Sequence, residues 1–194
     1  MNARLNDPDA PFGDSHGPLL TGAFAPVFEE LVLDALPVDG EIPADLNGVY
    51  LRNGPNPRLE PNGNYHPFDG DGMIHAAHFD PARVTYRNKW VRTDAMLEET
   101  RAGASPFWGI MGTLKGRSDR RLKDTANTDV IAHGGQAVAS WYMAGTPDWS
   151  PEDGISAHTK VDEATGELLF FNYSKKPPFM HYGVVDRNDT LVHS

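Results

Sequence analysis

The sequence has no cysteine among its 194 residues. This absence excludes disulfides, thiolate-ligated zinc, iron–sulfur clusters and cysteine nucleophiles. Positive charge is also scarce, because 17 Lys and Arg face 27 Asp and Glu and leave a net charge of −10. A nucleic-acid binder needs a basic surface to displace counterions, so this balance argues against nucleic acid as a partner. Any metal must therefore be held by His, Asp or Glu, and eight His are present.

Long hydrophobic runs are missing as well. The longest stretch without a charged side chain, residues 130–147, contains His, Gln, Gly and Pro and is not typical of a membrane span. The first 17 residues lack the basic start and apolar centre of a secretory signal, which predicts a cytoplasmic location. Glycine and proline, by contrast, are abundant at 19 and 16 residues. Many turns between short apolar runs predict an all-β protein.

The pattern of apolar runs predicts a flexible leader over residues 1–20 and one β domain over residues 21–194. Strands are expected at 48–53, 73–79, 83–91, 128–132, 136–143, 167–173 and 179–185, with a short helix at 94–101. Pro55 and Pro57 are expected to end the first of these strands, since proline removes a ladder donor. A sandwich, a barrel and a propeller all fit this pattern, and no clean repeat decides among them.

Two clusters of metal-ligand residue types stand at the start of the second strand. Asp69 and Asp71 alternate with glycines and could ligate a hard cation, but no Glu follows at the spacing of a calcium-binding helix–loop–helix. The sequence favours a turn whose carboxylates bond backbone amides, with a calcium-stabilised structural domain as the alternative. His75 and His78 are three residues apart on a strand, so they face opposite sides and cannot share one metal.

Two basic features and one histidine complete the candidates. Arg52 adjoins the rigid Asn-Gly-Pro-Asn-Pro turn, which favours a structural loop over a substrate clamp. The basic residues between Lys115 and Lys123 favour a solvated surface loop, although an anion or lipid headgroups could also bind there. His158 precedes a turn and a strongly apolar strand. Its residue type alone favours an ordinary hydrogen-bonded histidine over a metal ligand.

Taken in order, several segments resemble the carotenoid cleavage oxygenase family over roughly residues 18–194. The entry signature runs from Leu-Pro-Val-Asp-Gly-Glu-Ile-Pro to Tyr-Leu-Arg-Asn-Gly-Pro-Asn-Pro, and the next motif is Tyr-His-Pro-Phe-Asp-Gly-Asp-Gly-Met-Ile-His. The matching stretches are residues 22–27, 36–57, 65–75, 125–128, 156–162, 165–167 and 173–182. One such motif would be weak evidence, whereas an ordered series is specific.

The resemblance implies that this chain is part of a seven-bladed β-propeller, incomplete in itself. It further implies a ferrous ion held by four His on the propeller axis, which uses O₂ to cleave a C=C bond of a carotenoid, apocarotenoid or stilbene. By its place in Ser-Ala-His-Thr-Lys, His158 corresponds to the first of the four ligands. The composition agrees, because imidazole suits Fe(II) and cysteine is absent. Asp69 and Asp71 are not iron ligands in the family pattern, which supports their structural interpretation.

The sequence departs from the family pattern in three places. It ends at Ser194, before the second His-bearing motif, so His158 is the only expected iron ligand. The family usually carries a Glu near Tyr142 that orients a ligand His, and no carboxylate stands there. The link from Pro147 to Ser156 is shorter than usual. We therefore expect a chain that is inactive alone and associates with itself through unpaired blade surfaces.

The sequence leaves a second class of function open. A degenerate propeller fragment could hold an apolar ligand or partner without turnover, in place of a dioxygenase that acts on a lipophilic conjugated substrate and O₂. Trp141, Phe170, Phe171 and Phe179 could line a substrate tunnel, but core packing is the favoured role for most of them. Lipophilic substrates also leave a peripheral membrane contact open as an expectation.

Overall fold

The computed structural model describes residue 12 and residues 17–111, 123–141, 154–174 and 176–194. Within these ranges the strands are β1 Val32–Leu33, β2 Gly48–Pro55, β3 Gly72–Asp80, β4 Arg83–Trp90, β5 Asp129–His133, β6 Gln136–Ser140, β7 Lys160–Val161, β8 Leu168–Tyr173, β9 Met180–Val185 and β10 Leu191–His193. The helices are α1, Asp94–Ala102, and three 3₁₀ turns at Pro18–Leu20, Gly22–Phe24 and Pro67–Asp69.

The strands form three antiparallel sheets. The first has the order β1-β4-β3-β2, the second pairs β5 with β6, and the third has the order β10-β9-β8-β7. β3–β4, β5–β6 and β8–β9 pair as antiparallel neighbours, and the predicted β architecture is confirmed. In the described part of the chain, no helix is both long enough and apolar enough to cross a bilayer.

Neighbouring sheets meet at their edge strands. β2 contacts β5 and β5 in turn contacts β7, so the edges follow one another in chain order. The Asn53 side chain stabilises the contact between β2 and β5, because its Nδ2 donates to the Ala126 carbonyl at 2.7 Å and to the Asp129 carbonyl at 3.0 Å. The core of the third sheet includes Phe170 and Ile155, with Ile131 of β5 packed against it. The loop that precedes β7 is thereby placed beside the second sheet.

The prediction that the first strand ends before Pro55 is wrong. β2 continues through Gly54, opposite Met73, and Pro55, opposite Gly72. The physical reason is its position, since β2 is the edge strand of the first sheet. A proline is tolerated there because an edge strand leaves some of its N–H groups unpaired by the sheet.

The predicted helix is confirmed as α1. The Thr93 hydroxyl accepts a hydrogen bond from the Met96 amide at 3.2 Å, and Gly103 ends the helix in the left-handed conformation at φ 70°. Met96 packs against Met73 and Trp90, which makes α1 a cover for one end of the first sheet. The helix thus buries the residue that follows the Asp-Gly-Asp-Gly turn.

Two buried asparagines hold the segment that precedes β1. The Asn56 amide both accepts from the Val27 N–H and donates to its carbonyl, each at 2.7 Å. Asn88 Oδ1 accepts from the Leu31 N–H at 2.6 Å, and its Nδ2 donates to the Glu29 carbonyl at 2.9 Å. The segment is therefore fixed by side-chain amides in place of a strand ladder.

The described part of the predicted leader lies against the domain. Leu20 and Phe12 are buried with Tyr65 in one apolar cluster. The predicted boundary between residues 20 and 21 stays a prediction.

Candidate functional site

His158 lies on a bulge just before β7. The Ser156 N–H donates to the Phe171 carbonyl at 2.7 Å, and Lys160 pairs with Leu169. Between these two anchors the chain uses three residues, 157–159, to pass the single β8 residue Phe170. Bulges of this kind redirect side chains and are common beside active sites.

The backbone of the bulge is fixed by two serines. Ser140, at the end of β6, donates its hydroxyl to the Ala157 carbonyl at 2.9 Å. The Ser156 hydroxyl accepts from the His158 N–H at 3.0 Å. Ala157 and Thr159 are each only 2% exposed, whereas His158 between them is exposed. The bulge therefore buries Ala157 and Thr159, and it exposes the His158 imidazole on a backbone that hydrogen bonds hold in place.

The donor set at this position fits one ligand of a ferrous site. No side chain of the described residues hydrogen-bonds the His158 imidazole, which leaves its nitrogens open to a ligand there. A neutral imidazole is a suitable donor for Fe(II). In the same part of the chain, no three His, Asp or Glu side chains come together as a metal site. His158 can therefore contribute one bond, and firm binding needs donors beyond the described residues.

The structure gives Asp69 the structural role that was favoured. Its carboxylate accepts from the His66 N–H at 3.0 Å and from the Ile110 N–H at 2.8 Å. Its own turn is in addition bound by Asn127, whose Nδ2 donates to the Gly70 carbonyl at 2.7 Å. The Asp69 carboxylate thus binds two backbone amides of the fold, and among the described residues no three potential metal-ligand side chains come together around it.

Asp71 belongs to a buried ionic network. It accepts from the Arg58 N–H at 3.0 Å, and its other oxygen lies 2.8 Å from Lys123 Nζ. Lys123 Nζ also lies 2.5 Å from Glu99 Oε2, and the Ser105 hydroxyl donates to Glu99 Oε1 at 2.5 Å. The side chains of Asp71, Glu99 and Lys123 are 1%, 2% and 11% exposed. The network joins the Asp-Gly-Asp-Gly turn, α1 and the segment after residue 122.

The interpretation of Lys123 as part of a solvated loop is therefore wrong. Its aliphatic stem and ammonium are buried because two carboxylates from distant segments compensate the charge. The other basic residues of that predicted loop, at positions 115, 117, 120 and 121, lie outside the described residues, as does Tyr142.

A cleft opens above this network. Its empty space is about 520 Å³ with the open mouth included. Lys123, Glu99 and Ser105 line it together with the aromatic side chains Trp108 and Trp141. Trp141 thus lines a cleft, whereas Phe170 is core, Phe171 is half-buried and Phe179 is exposed.

The remaining candidates have structural surroundings. His75 and His78 face opposite sides of β3, as predicted, and His75 Nδ1 lies 2.7 Å from the Tyr86 hydroxyl. Burial lowers the pKa of His75, and the nearby Arg52 charge lowers it further. Arg52 is exposed on β2 directly opposite His75. None of these residues lines the cleft above the Asp71–Glu99–Lys123 network.

Sequence reasoning missed Ser140, Ser156, Glu99 and Ser105. Ser156 could have been found from the sequence, because a serine hydroxyl can accept a hydrogen bond from the backbone N–H two residues later, here that of His158. Ser140 and Glu99 had no such signal, because their partners stand 17 and 24 residues away in the sequence.

Comparisons with known proteins place the chain in a family. Residues 24–194 match the family model described as RPE65, retinal pigment epithelial membrane protein. Carotenoid 9,10(9',10')-cleavage dioxygenase 1 of Arabidopsis thaliana is 33% identical over 90% of this chain and 39% of its own length. Isoeugenol monooxygenase of Pseudomonas nitroreducens is 33% identical over 98% of this chain and 43% of its own length.

Solved structures agree with the sequence relatives. The lignostilbene dioxygenase of Pseudomonas brassicacearum superposes with a TM-score of 0.80 at 29% identity, over 91% of this chain and 42% of that one. A variant of the Synechocystis apocarotenoid oxygenase gives a TM-score of 0.69 at 28% identity, over 87% of this chain and 42% of that one. The chain thus spans about two fifths of the length of these relatives. On the family match and these identities, the chain belongs to the carotenoid cleavage oxygenase family.

Proposed function

We propose that this chain contributes one iron ligand, His158, to a non-haem Fe(II) dioxygenase that cleaves a C=C bond of a lipophilic conjugated substrate. The observation that carries the proposal is the bulge before β7, which buries Ala157 and Thr159 and exposes the histidine between them. A ferrous ion, held in part by His158, would supply the binding and activation of O₂ for the oxidative cleavage.

The chain's own contribution is to hold a donor in place. The bulge redirects His158 away from the apolar core that contains Phe170 and Ile155. Because the peptide between Ala157 and His158 is hydrogen-bonded at both ends, little backbone entropy remains to be lost when the imidazole binds a metal. A pre-organised donor binds more tightly than a mobile one.

The relatives support the proposed substrate class. Those described above are named for the cleavage of carotenoids, the oxidation of isoeugenol and the oxidation of lignostilbene. Their shared chemical feature is a C=C bond conjugated with a polyene or an aromatic ring. We assign the same class to this protein, with O₂ as co-substrate.

The architecture we propose is part of a seven-bladed propeller. The three sheets, whose edge strands β2, β5 and β7 follow one another, correspond to successive blades in this proposal. One face of the third sheet is open and apolar: Tyr173 pairs with Met180 there, and all three of Tyr173, Met180 and Tyr182 are at least half exposed. We expect residues 1–194 alone to associate through this face and to be inactive. The cytoplasmic location and a peripheral membrane contact stay predictions.

The test is turnover of two substrates by a protein of the relatives' length that contains this chain. A carotenoid and a hydroxylated stilbene are supplied with O₂, and carbonyl products are identified by mass spectrometry. We expect aldehyde products from one of them and none from a His158→Ala variant. His78→Ala removes an exposed histidine from β3 and is the matched control. Full turnover by His158→Ala would contradict the proposal.

A further inference from the structure

A single peptide group is held at both of its ends by serine hydroxyls. The group joins Ala157 to His158, so its carbonyl belongs to Ala157 and its N–H belongs to His158. The Ser140 hydroxyl donates to that carbonyl at 2.9 Å. The Ser156 hydroxyl accepts from that N–H at 3.0 Å. The plane of this peptide is consequently fixed on both sides.

The two serines come from different sheets. Ser140 is the last residue of β6 in the second sheet and is 3% exposed. Ser156 is also buried, and its own N–H bonds the Phe171 carbonyl of β8 in the third sheet. The bulge that carries His158 is therefore fastened between two sheets and not to its own strand partner alone.

The orientation of this peptide decides where His158 points. With three residues passing one residue of β8, the bulge has no regular ladder to set its dihedral angles. The peptide plane before His158 sets its φ angle, and φ sets the direction of its Cα–Cβ bond. Loss of the Ser140 hydroxyl would leave the buried Ala157 carbonyl without its partner and favour rotation of the plane.

We propose that Ser140 and Ser156 are positioning residues that clamp the Ala157–His158 peptide and thereby aim the His158 imidazole. The purpose assigned to the clamp, alignment of a metal ligand, rests on the proposed function. The clamp itself is a property of the described residues and is testable without a metal.

The first experiment measures amide hydrogen exchange by mass spectrometry, resolved to single amides, in the metal-free protein of the relatives' length that contains this chain. In Ser140→Ala we expect the His158 amide to exchange about tenfold faster, as expected from loss of one buried hydrogen bond. Ser140→Thr keeps the hydroxyl and should restore slow exchange. Thr100→Val is the matched control, because it removes a hydroxyl that donates to a helical carbonyl at 2.8 Å in α1. Ser156→Ala tests the clamp from its other end and should also speed exchange at His158.

The second experiment measures iron affinity in the protein of the relatives' length. Ser140→Ala should weaken Fe(II) binding about ten- to hundredfold, the usual effect of removing a partner that orients a ligand. Ser140→Thr should bind normally.

The outcomes separate the inference from the proposed function. Unchanged exchange at His158 in Ser140→Ala would overturn the clamp. An equal increase in the exchange rates of the β8 amides would also overturn the clamp, because Ser140 would then stabilise the fold in general. If exchange rises only at the bulge while His158→Ala keeps its iron, the clamp stands and the proposed function fails.

Discussion

Replacement of Lys123 by methionine tests the buried network that joins three segments of the fold. Methionine keeps most of the side-chain volume but removes the ammonium that lies 2.8 Å from Asp71 and 2.5 Å from Glu99. The two carboxylates, 1% and 2% exposed, then face each other without a compensating charge. Removal of one partner of a buried ion pair costs about 3–5 kcal/mol. That is a large share of a usual folding stability of about 5–15 kcal/mol.

The assay is thermal unfolding followed by circular dichroism at pH 7. For a chain of this size each kcal/mol moves Tm by about 2–4 °C, so the expected fall is about 6–20 °C. Lys176→Met, which removes an exposed lysine, is the control and should leave Tm nearly unchanged. Glu99→Gln added to Lys123→Met should recover part of the loss, because one uncompensated charge is removed. A Tm for Lys123→Met equal to that of Lys176→Met would refute the reasoning.

Three further substitutions should change the stability of the fold in a defined direction. Burial raises the pKa of Asp124, and its Oδ1 has no partner among the described residues. The ionised Asp124 carboxylate therefore destabilises the folded state at neutral pH, so Asp124→Asn should raise Tm at pH 7. This gain should vanish as the pH falls below about 4, where the carboxyl is protonated in both the folded and the unfolded state. The backbone N–H of Ala82 lowers the pKa of Asp80, so Asp80→Asn should lower Tm at pH 7 and lose that effect as the pH falls through the folded pKa. Asn88→Ala removes two bonds to the segment before β1 and should cost about 2–4 kcal/mol in urea unfolding, with earlier trypsin cleavage after Arg87 or Lys89 than in the wild type.

The strands could be predicted because their signals are local. The apolar runs of β8 and β9, the hairpin across Asp80 and the caps of α1 all lie within a few residues of the structure they specify. The end of β2 could not be predicted, since the tolerance for Pro55 depends on β2 being an edge strand. Sheet order is a tertiary property that proline spacing does not encode.

Only part of the candidate site could be predicted from the sequence. His158 was identified through the family resemblance, because its residue type alone favoured an ordinary histidine. The burial of Lys123 could not be anticipated, since its partners Asp71 and Glu99 are 52 and 24 residues away and only folding brings them together. The clamp at the Ala157–His158 peptide needs the second and third sheets in contact. Long-range polar contacts of this kind leave no periodic pattern in the chain.

The central claim, that His158 is an iron ligand, is tested most directly by iron content. The protein of the relatives' length that contains this chain is purified anaerobically as wild type, His158→Ala and His78→Ala, and iron is measured per chain by mass spectrometry. Loss of one imidazole from the metal should strip iron from His158→Ala, whereas wild type and His78→Ala should retain about one iron per chain. A full complement of iron in His158→Ala, with the fold intact by circular dichroism, would contradict the account.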